Sequence, residues 1–204
     1  MTSINPYRLA AKVCRQPVWH LGSEGRRLFL TFDDGPSPVL TPWVLDVLRS
    51  YDARATFFCL GRQVQQHPDL MKAIRDAGHA VGNHTHNHLD GWRTSFRRYL
   101  KDVHRAAQWI DSPLFRPPHG RLCLRQMHRL GQTYRIVLWD VLSRDYDSRL
   151  SPEFILSRLK RRVKPGSIVV FHDSPQAETN LRSVLPDFLD FCHTEGYQLQ
   201  SIQF

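Results

Sequence analysis

The chain has 204 residues, 41% hydrophobic and 23% charged, which suits one folded domain with an ordinary core and argues against a disordered chain. Its 28 basic and 19 acidic residues give a formal charge of +9, and all the basic residues except Lys12, Lys72, Lys101, Lys160 and Lys164 are arginine. No tract interleaves these charges with stacking aromatics, which argues against nucleic-acid binding. No apolar run approaches the ~20 residues that span a bilayer. The four cysteines, Cys14, Cys59, Cys123 and Cys192, form no Cys-x-x-Cys pair, which speaks against a disulfide framework or a structural zinc site.

Residues 1–25 read as an N-terminal extension. They lack the apolar stretch and small-residue cleavage site of a secretory signal, so a cytoplasmic location is expected. Leu9, Val13 and Trp19 alternate there with Arg8, Lys12 and Arg15, a mixture that permits weak peripheral contact with an anionic membrane. From residue 26 to 204, strand-like and helix-like runs alternate. A strand over 28–32 precedes a helix over 42–51, and a strand over 56–60 precedes a helix over 68–77. Strands over 80–83, 114–116 and 135–139 are followed by helices over 96–110, 124–130 and 152–162. A strand over 167–171, a helix over 181–194 and a last strand over 197–202 complete the series. Pro68 and Pro152 suit first helical turns, and Gly78, Gly131 and Gly196 suit helix stops. This alternation predicts a single α/β domain with a parallel sheet. Seven strands without a Gly-x-Gly-x-x-Gly after the first favour a barrel over a dinucleotide-binding sheet.

Polar clusters follow five of these strands: Asp33-Asp34, His84, Arg116, Asp140 with Asp145, and His172-Asp173. In a parallel barrel the C-terminal strand ends share one face, where active sites are built. Asp33-Asp34-Gly35-Pro36 alone is an ordinary turn sequence. In Asn83-His84-Thr85-His86-Asn87-His88, a helical turn would aim His84 and His88 to one side, whereas an extended segment would pair His84 with His86. Two histidines and a carboxylate form a zinc site with one position left for water. His20, His67, His79, His104, His128 and His193 have no comparable setting and read as structural or exposed.

Five ordered motifs carry a resemblance from about residue 28 to the C-terminus. They are Thr31-Phe32-Asp33-Asp34-Gly35-Pro36-Ser37, His84-Thr85-His86-Asn87-His88, Arg116-Pro117-Pro118-His119-Gly120, Trp139-Asp140-Val141-Leu142-Ser143-Arg144-Asp145-Tyr146 and Ile168-Val169-Val170-Phe171-His172-Asp173. Together they resemble the polysaccharide deacetylases of the NodB-homology type, carbohydrate esterase family 4. The resemblance implies a deformed (β/α)7-type barrel over residues 26–204. It implies a hydrolase that removes N-acetyl groups, in preference to O-acetyl groups, from an acetylated carbohydrate with one divalent metal ion, usually zinc. Asp34, His84 and His88 would bind the metal, and Asp33 would be the base, held ionised and aimed by Arg116. His172 would be the acid, oriented by Asp145, and the His119 backbone N–H would help hold the oxyanion. The chain departs from the family pattern at His119, where tyrosine is usual, at Leu142, where an acidic residue is common, and at Tyr146, where tryptophan is common. Tyr146 would alter the apolar floor under the acetyl methyl. Two other readings are a hydrolase of non-sugar amides or cyclic ureides on the same scaffold, and a non-catalytic carbohydrate-binding relative.

Overall fold

Six of the seven residues of the first strand, β1 (Arg27–Asp33), are buried, the mark of a parallel strand covered on both faces. The structure, a computed structural model, describes residues 17–22 and 25–204; most of the predicted extension over 1–25 lies outside the described residues. After β1 come α1 (Leu40–Ser50), β2 (Ala55–Cys59), α2 (Gly61–Gln66), α3 (Pro68–Asp76) and β3 (Ala80–Asn83). Next are α4 (Phe96–Ala107), β4 (Leu114–Phe115), α5 (Leu124–Gly131), β5 (Arg135–Ile136) and β6 (Val141–Leu142). The chain closes with α6 (Pro152–Arg162), β7 (Ile168–His172), α7 (Glu178–Thr194) and β8 (Gln198–Leu199).

Seven parallel strands in the order β5-β4-β3-β2-β1-β7-β6 curl into the deformed (β/α)7 barrel, and β8 pairs with the start of β1. Phe32 stacks on Phe57 and Phe171 from the two flanking strands, with ring centroids 5.0 and 6.0 Å apart, so the core is packed with aromatics along the central three strands. α1 buries Leu40, Val44, Leu45 and Leu48 against this sheet. Cys59 is buried there too, and Cys59, Cys123 and Cys192 are free thiols.

The strand predicted over 135–139 is split. Only Arg135 and Ile136 pair with β4; Val137 and Leu138 then pair with Val18, whose N–H donates to Ile136 O at 2.8 Å and whose carbonyl accepts from Leu138 at 2.7 Å. Val18 and His20 thus run along the seam between the sheet's two ends, His20 bridging to Ser167. Asp140 is not on the catalytic face. It accepts from Ser167 Oγ and Ile168 N–H at 2.9 Å each, at the N-terminal end of β7, and contacts His20 at 3.0 Å. The split strand explains the correction: the chain must cross the seam before β6 can pair with Val169 and Val170. The short helix α2 also went unpredicted, because a six-residue run burying only Gly61 and Val64 shows no period.

Candidate active site

β1 ends at Asp33, and Asp34 follows with φ of 78°. On an extended strand, successive side chains point to opposite faces. The left-handed Asp34 cancels that alternation, and both carboxylates line one cleft of about 420 Å³. Left-handed non-glycine residues recur around it at Thr85 (66°), His88 (58°), His119 (58°) and Arg144 (63°). Such backbone costs on the order of 1–3 kcal/mol per residue and persists where the surroundings over-determine it. Here the surroundings include Asp173, buried beneath the Asp33–Gly35 turn. A Cβ on Gly35 would lie 2.1 Å from Asp173 Oδ2, which accepts from Thr41 Oγ at 2.5 Å. Burial raises the Asp173 carboxyl to about 7.

His84 and His88 converge on Asp34, but not through a helical turn. Residues 84–88 form an irregular loop curled by the left-handed Thr85 and His88. Asp34 Oδ1 lies 3.5 Å from His84 Nε2 and 3.1 Å from His88 Nε2. The extended alternative fails as well. His86 turns away against Gly61, where an added Cβ would lie 2.7 Å from its Nδ1. The N–H groups of His86 and Asn87 both donate to Asp102 Oδ2 at 2.9 Å, which pins the loop from below. Asp102 was missed by the sequence reading, yet it sits on the buried stripe Tyr99, Asp102, Val103 and Ala106 of α4. A carboxylate on an apolar stripe was the available signal.

These three side chains fit a cation. His84 Nδ1 is 2.8 Å from the Arg116 carbonyl, which only accepts, so Nδ1 carries the proton and the bare Nε2 faces the Asp34 carboxylate. Two acceptors face each other, and Asp34 Oδ1 is buried without a hydrogen bond. A backbone carbonyl holding the far nitrogen of a ligating histidine is the usual outer support of a metal site. Burial alone would raise the Asp34 carboxyl, but His88, His84 and His172 outweigh it and hold it well below the ordinary carboxylate range. Burial lowers His84 to about 4, keeping a neutral, metal-competent imidazole.

Arg116 is fully buried and fully used. Its Nη1 donates to Asp33 Oδ1 and Thr31 Oγ1 at 2.7 Å each, Nη2 to Leu138 O at 3.1 Å and Nε to Val137 O at 3.3 Å. The guanidinium also lies 4.1 Å from the Phe58 ring centroid. A planar fork is required for this set. Across the cleft, His172 Nδ1 meets Asp145 Oδ1 at 2.7 Å, and the His172 N–H donates to Asp145 Oδ2 at 2.8 Å. Ser143 Oγ donates to the same carboxylate at 2.9 Å. Burial opposes charge on His172, but Asp145, with Asp33 and Asp34 behind it, lifts the imidazole to about 9.

Tyr146 stands edge-on to His172, ring centroids 4.9 Å apart, and with Leu142 and Val170 gives the cleft an apolar wall. His119 stands edge-on to His88 at 4.7 Å, and burial, then His88, lower its basicity. The nine residues singled out from the sequence as catalytic, metal-binding or substrate-contacting therefore gather around one cleft. Trp139, part of the fourth motif but given no role there, also lines it, as do Arg121 and Gln176, which lie in none of the motifs.

The profile of the polysaccharide deacetylase family matches residues 21–134. A peptidoglycan-N-acetylglucosamine deacetylase of Bacillus cereus is 33% identical over 194 residues, covering 91% of this chain and 90% of that protein. A chitooligosaccharide deacetylase of Rhizobium leguminosarum bv. trifolii is 31% identical over 215 residues, covering 94% of this chain and 97% of that protein. Among solved structures, a peptidoglycan N-acetylglucosamine deacetylase superposes with a TM-score of 0.86 at 25% identity, covering 98% of this chain and 95% of the other. This chain belongs to the polysaccharide deacetylases of the NodB-homology type, carbohydrate esterase family 4.

Proposed function

We propose that this chain hydrolyses N-acetyl groups, in preference to O-acetyl groups, on an amino sugar within an oligosaccharide or glycan, releasing acetate and the free amine. Asp34, His84 and His88 hold one divalent ion. The observation that carries the reading is that this trio opens onto the same cleft as Asp33 and His172. The named relatives, which act on peptidoglycan N-acetylglucosamine and chitooligosaccharide, support the substrate class. Two imidazoles and a carboxylate would suit zinc. When bound, the ion supplies a Lewis acid that polarises the acetyl carbonyl and acidifies a water.

The chain's own groups divide the remaining work. Arg116 occupies Asp33 Oδ1, which leaves Oδ2 to take the proton of the attacking water. The N–H of His119, presented by its left-handed backbone, donates to the oxyanion of the tetrahedral species. Asp145 holds His172 Nδ1–H, so Nε2–H gives its proton to the departing amine, which leaves poorly as an anion. Tyr146, Leu142 and Val170 receive the acetyl methyl. The test is acetate release from chito-oligosaccharides, peptidoglycan fragments and O-acetylated xylan, beside small amides and cyclic ureides, with zinc added or chelated. Turnover of amides or ureides with no acetate from any glycan would overturn the reading.

A further inference from the structure

Ten basic residues and two acidic ones fall between residues 92 and 135, so this stretch carries +8 of the chain's +9. The structure turns that bias into a surface. On α4, Arg97, Arg98, Lys101 and Arg105 are exposed, while Asp102, its one acidic residue, is buried and engaged with the His86–Asn87 turn. On α5, Arg125 and Arg129 are exposed, and that helix has no acidic residue. The two helices enclose one buried cluster that includes Tyr99, Val103, Met127 and Leu130, so they pack together with these basic residues on their outer sides.

Two large apolar side chains stand at its edge, Trp92 at 60% exposure and Leu124 at 59%. Trp92 is held rather than loose. Its indole N–H donates to Leu122 O at 3.1 Å, and Arg121 lies 5.1 Å from its ring centroid. Buried Gln126 ties the Trp92 loop to α5 through Gly91 O at 3.0 Å and Thr94 O at 3.2 Å. Arg121 also lines the catalytic cleft, so this face borders the cleft mouth.

We propose that the α4–α5 face docks on an anionic phospholipid surface, with Trp92 and Leu124 entering the headgroup region and the arginines meeting lipid phosphates. One-signed charge supplies the attraction, and Arg carries it without a neutralising neighbour on either helix. A soluble polyanion would satisfy the arginines but gives exposed Leu124 nothing to bury, whereas an interface takes both tryptophan and leucine. Among the described residues no helix is long and apolar enough to cross a membrane. The proposal goes beyond the deacetylase reading and does not depend on it.

The experiment is cosedimentation of the full chain with vesicles of phosphatidylcholine alone or mixed with phosphatidylglycerol, at low and high salt, beside heparin as a soluble polyanion. Each basic residue contributes roughly a fivefold gain in partitioning, so Arg97→Gln/Arg98→Gln/Arg105→Gln should lower it on the order of 100-fold at an unchanged melting temperature. Trp92→Ser/Leu124→Ser should abolish the part that resists salt. Pelleting with phosphatidylglycerol vesicles that is weakened by salt and by both variants supports the proposal. Absence of pelleting, equal pelleting of the arginine variant, or tight heparin binding without vesicle binding overturns it.

Discussion

Asp33 and His172 are register partners on adjacent parallel strands, the last residues of β1 and β7, so the two groups to which we assign the proton transfers stand side by side, one strand spacing apart. Asp33 brings Arg116 behind it and His172 brings Asp145, so each group is oriented by a buried partner of opposite charge. Asp33→Asn should fold, retain the metal and lose on the order of 10²-fold or more in rate of acetate release, the scale of a positioned base. A rate near that of the parent would remove Asp33 from the mechanism.

The alkaline limb of the rate profile should report His172. Its imidazolium is stabilised in the folded protein, with the group lifted to about 9, so the proton donor is present at neutral pH and is lost as pH rises through that value. Positive charge bound at Asp34 would draw the limb somewhat lower. Asp145→Asn removes the largest stabilising charge, and the limb should move toward the ordinary histidine range. An unmoved limb in Asp145→Asn would assign the alkaline loss to another group.

Metal content should separate the histidines. His88→Ala removes one of the three groups that we assign to the metal and should leave the purified protein depleted of its divalent ion. His86→Ala should keep it, because His86 lies outside the cluster of Asp34, His84 and His88. Elemental analysis of the two variants decides this, and metal loss in His86→Ala alone would refute the ligand set.

Arg116→Lys should destabilise the fold by about 3–5 kcal/mol in urea unfolding, because an ammonium cannot reach Thr31, Asp33, Val137 and Leu138 together. A loss under 1 kcal/mol would mean that the buried fork is dispensable.

His79 predicts an acid-side loss of stability unrelated to the cleft. Burial, then Arg54 and Arg49, lower it to about 4, and its Nδ1 accepts the Ala55 N–H at 3.1 Å. The unfolded chain protonates near 6.5, so stability is full above that pH and declines as pH falls toward 4. His79→Gln offers an acceptor that does not titrate, and its urea midpoint should fall less between pH 7 and 4.5. Parallel declines in the two proteins would place the acid sensitivity elsewhere.

Local pattern carried the alternation of elements, the parallel barrel and the family motifs, because burial on both strand faces leaves continuous apolar runs at 28–32 and 167–171, and helical periods leave stripes. It also carried the residue types of the site, since catalytic groups at strand ends interrupt those runs. What it could not carry were features fixed by distant partners. Whether His84 joins His86 or His88 depended on left-handed backbone at Thr85 and His88, held by Asp102 sixteen residues from His86. The break after Ile136 depended on Val18 filling the seam, which also sent Asp140 to the opposite end of the barrel. The cationic face is visible in sequence only as scattered arginines. It became one surface when α4 and α5 packed together and turned Asp102 inward, because packing alone decides which charges share a side.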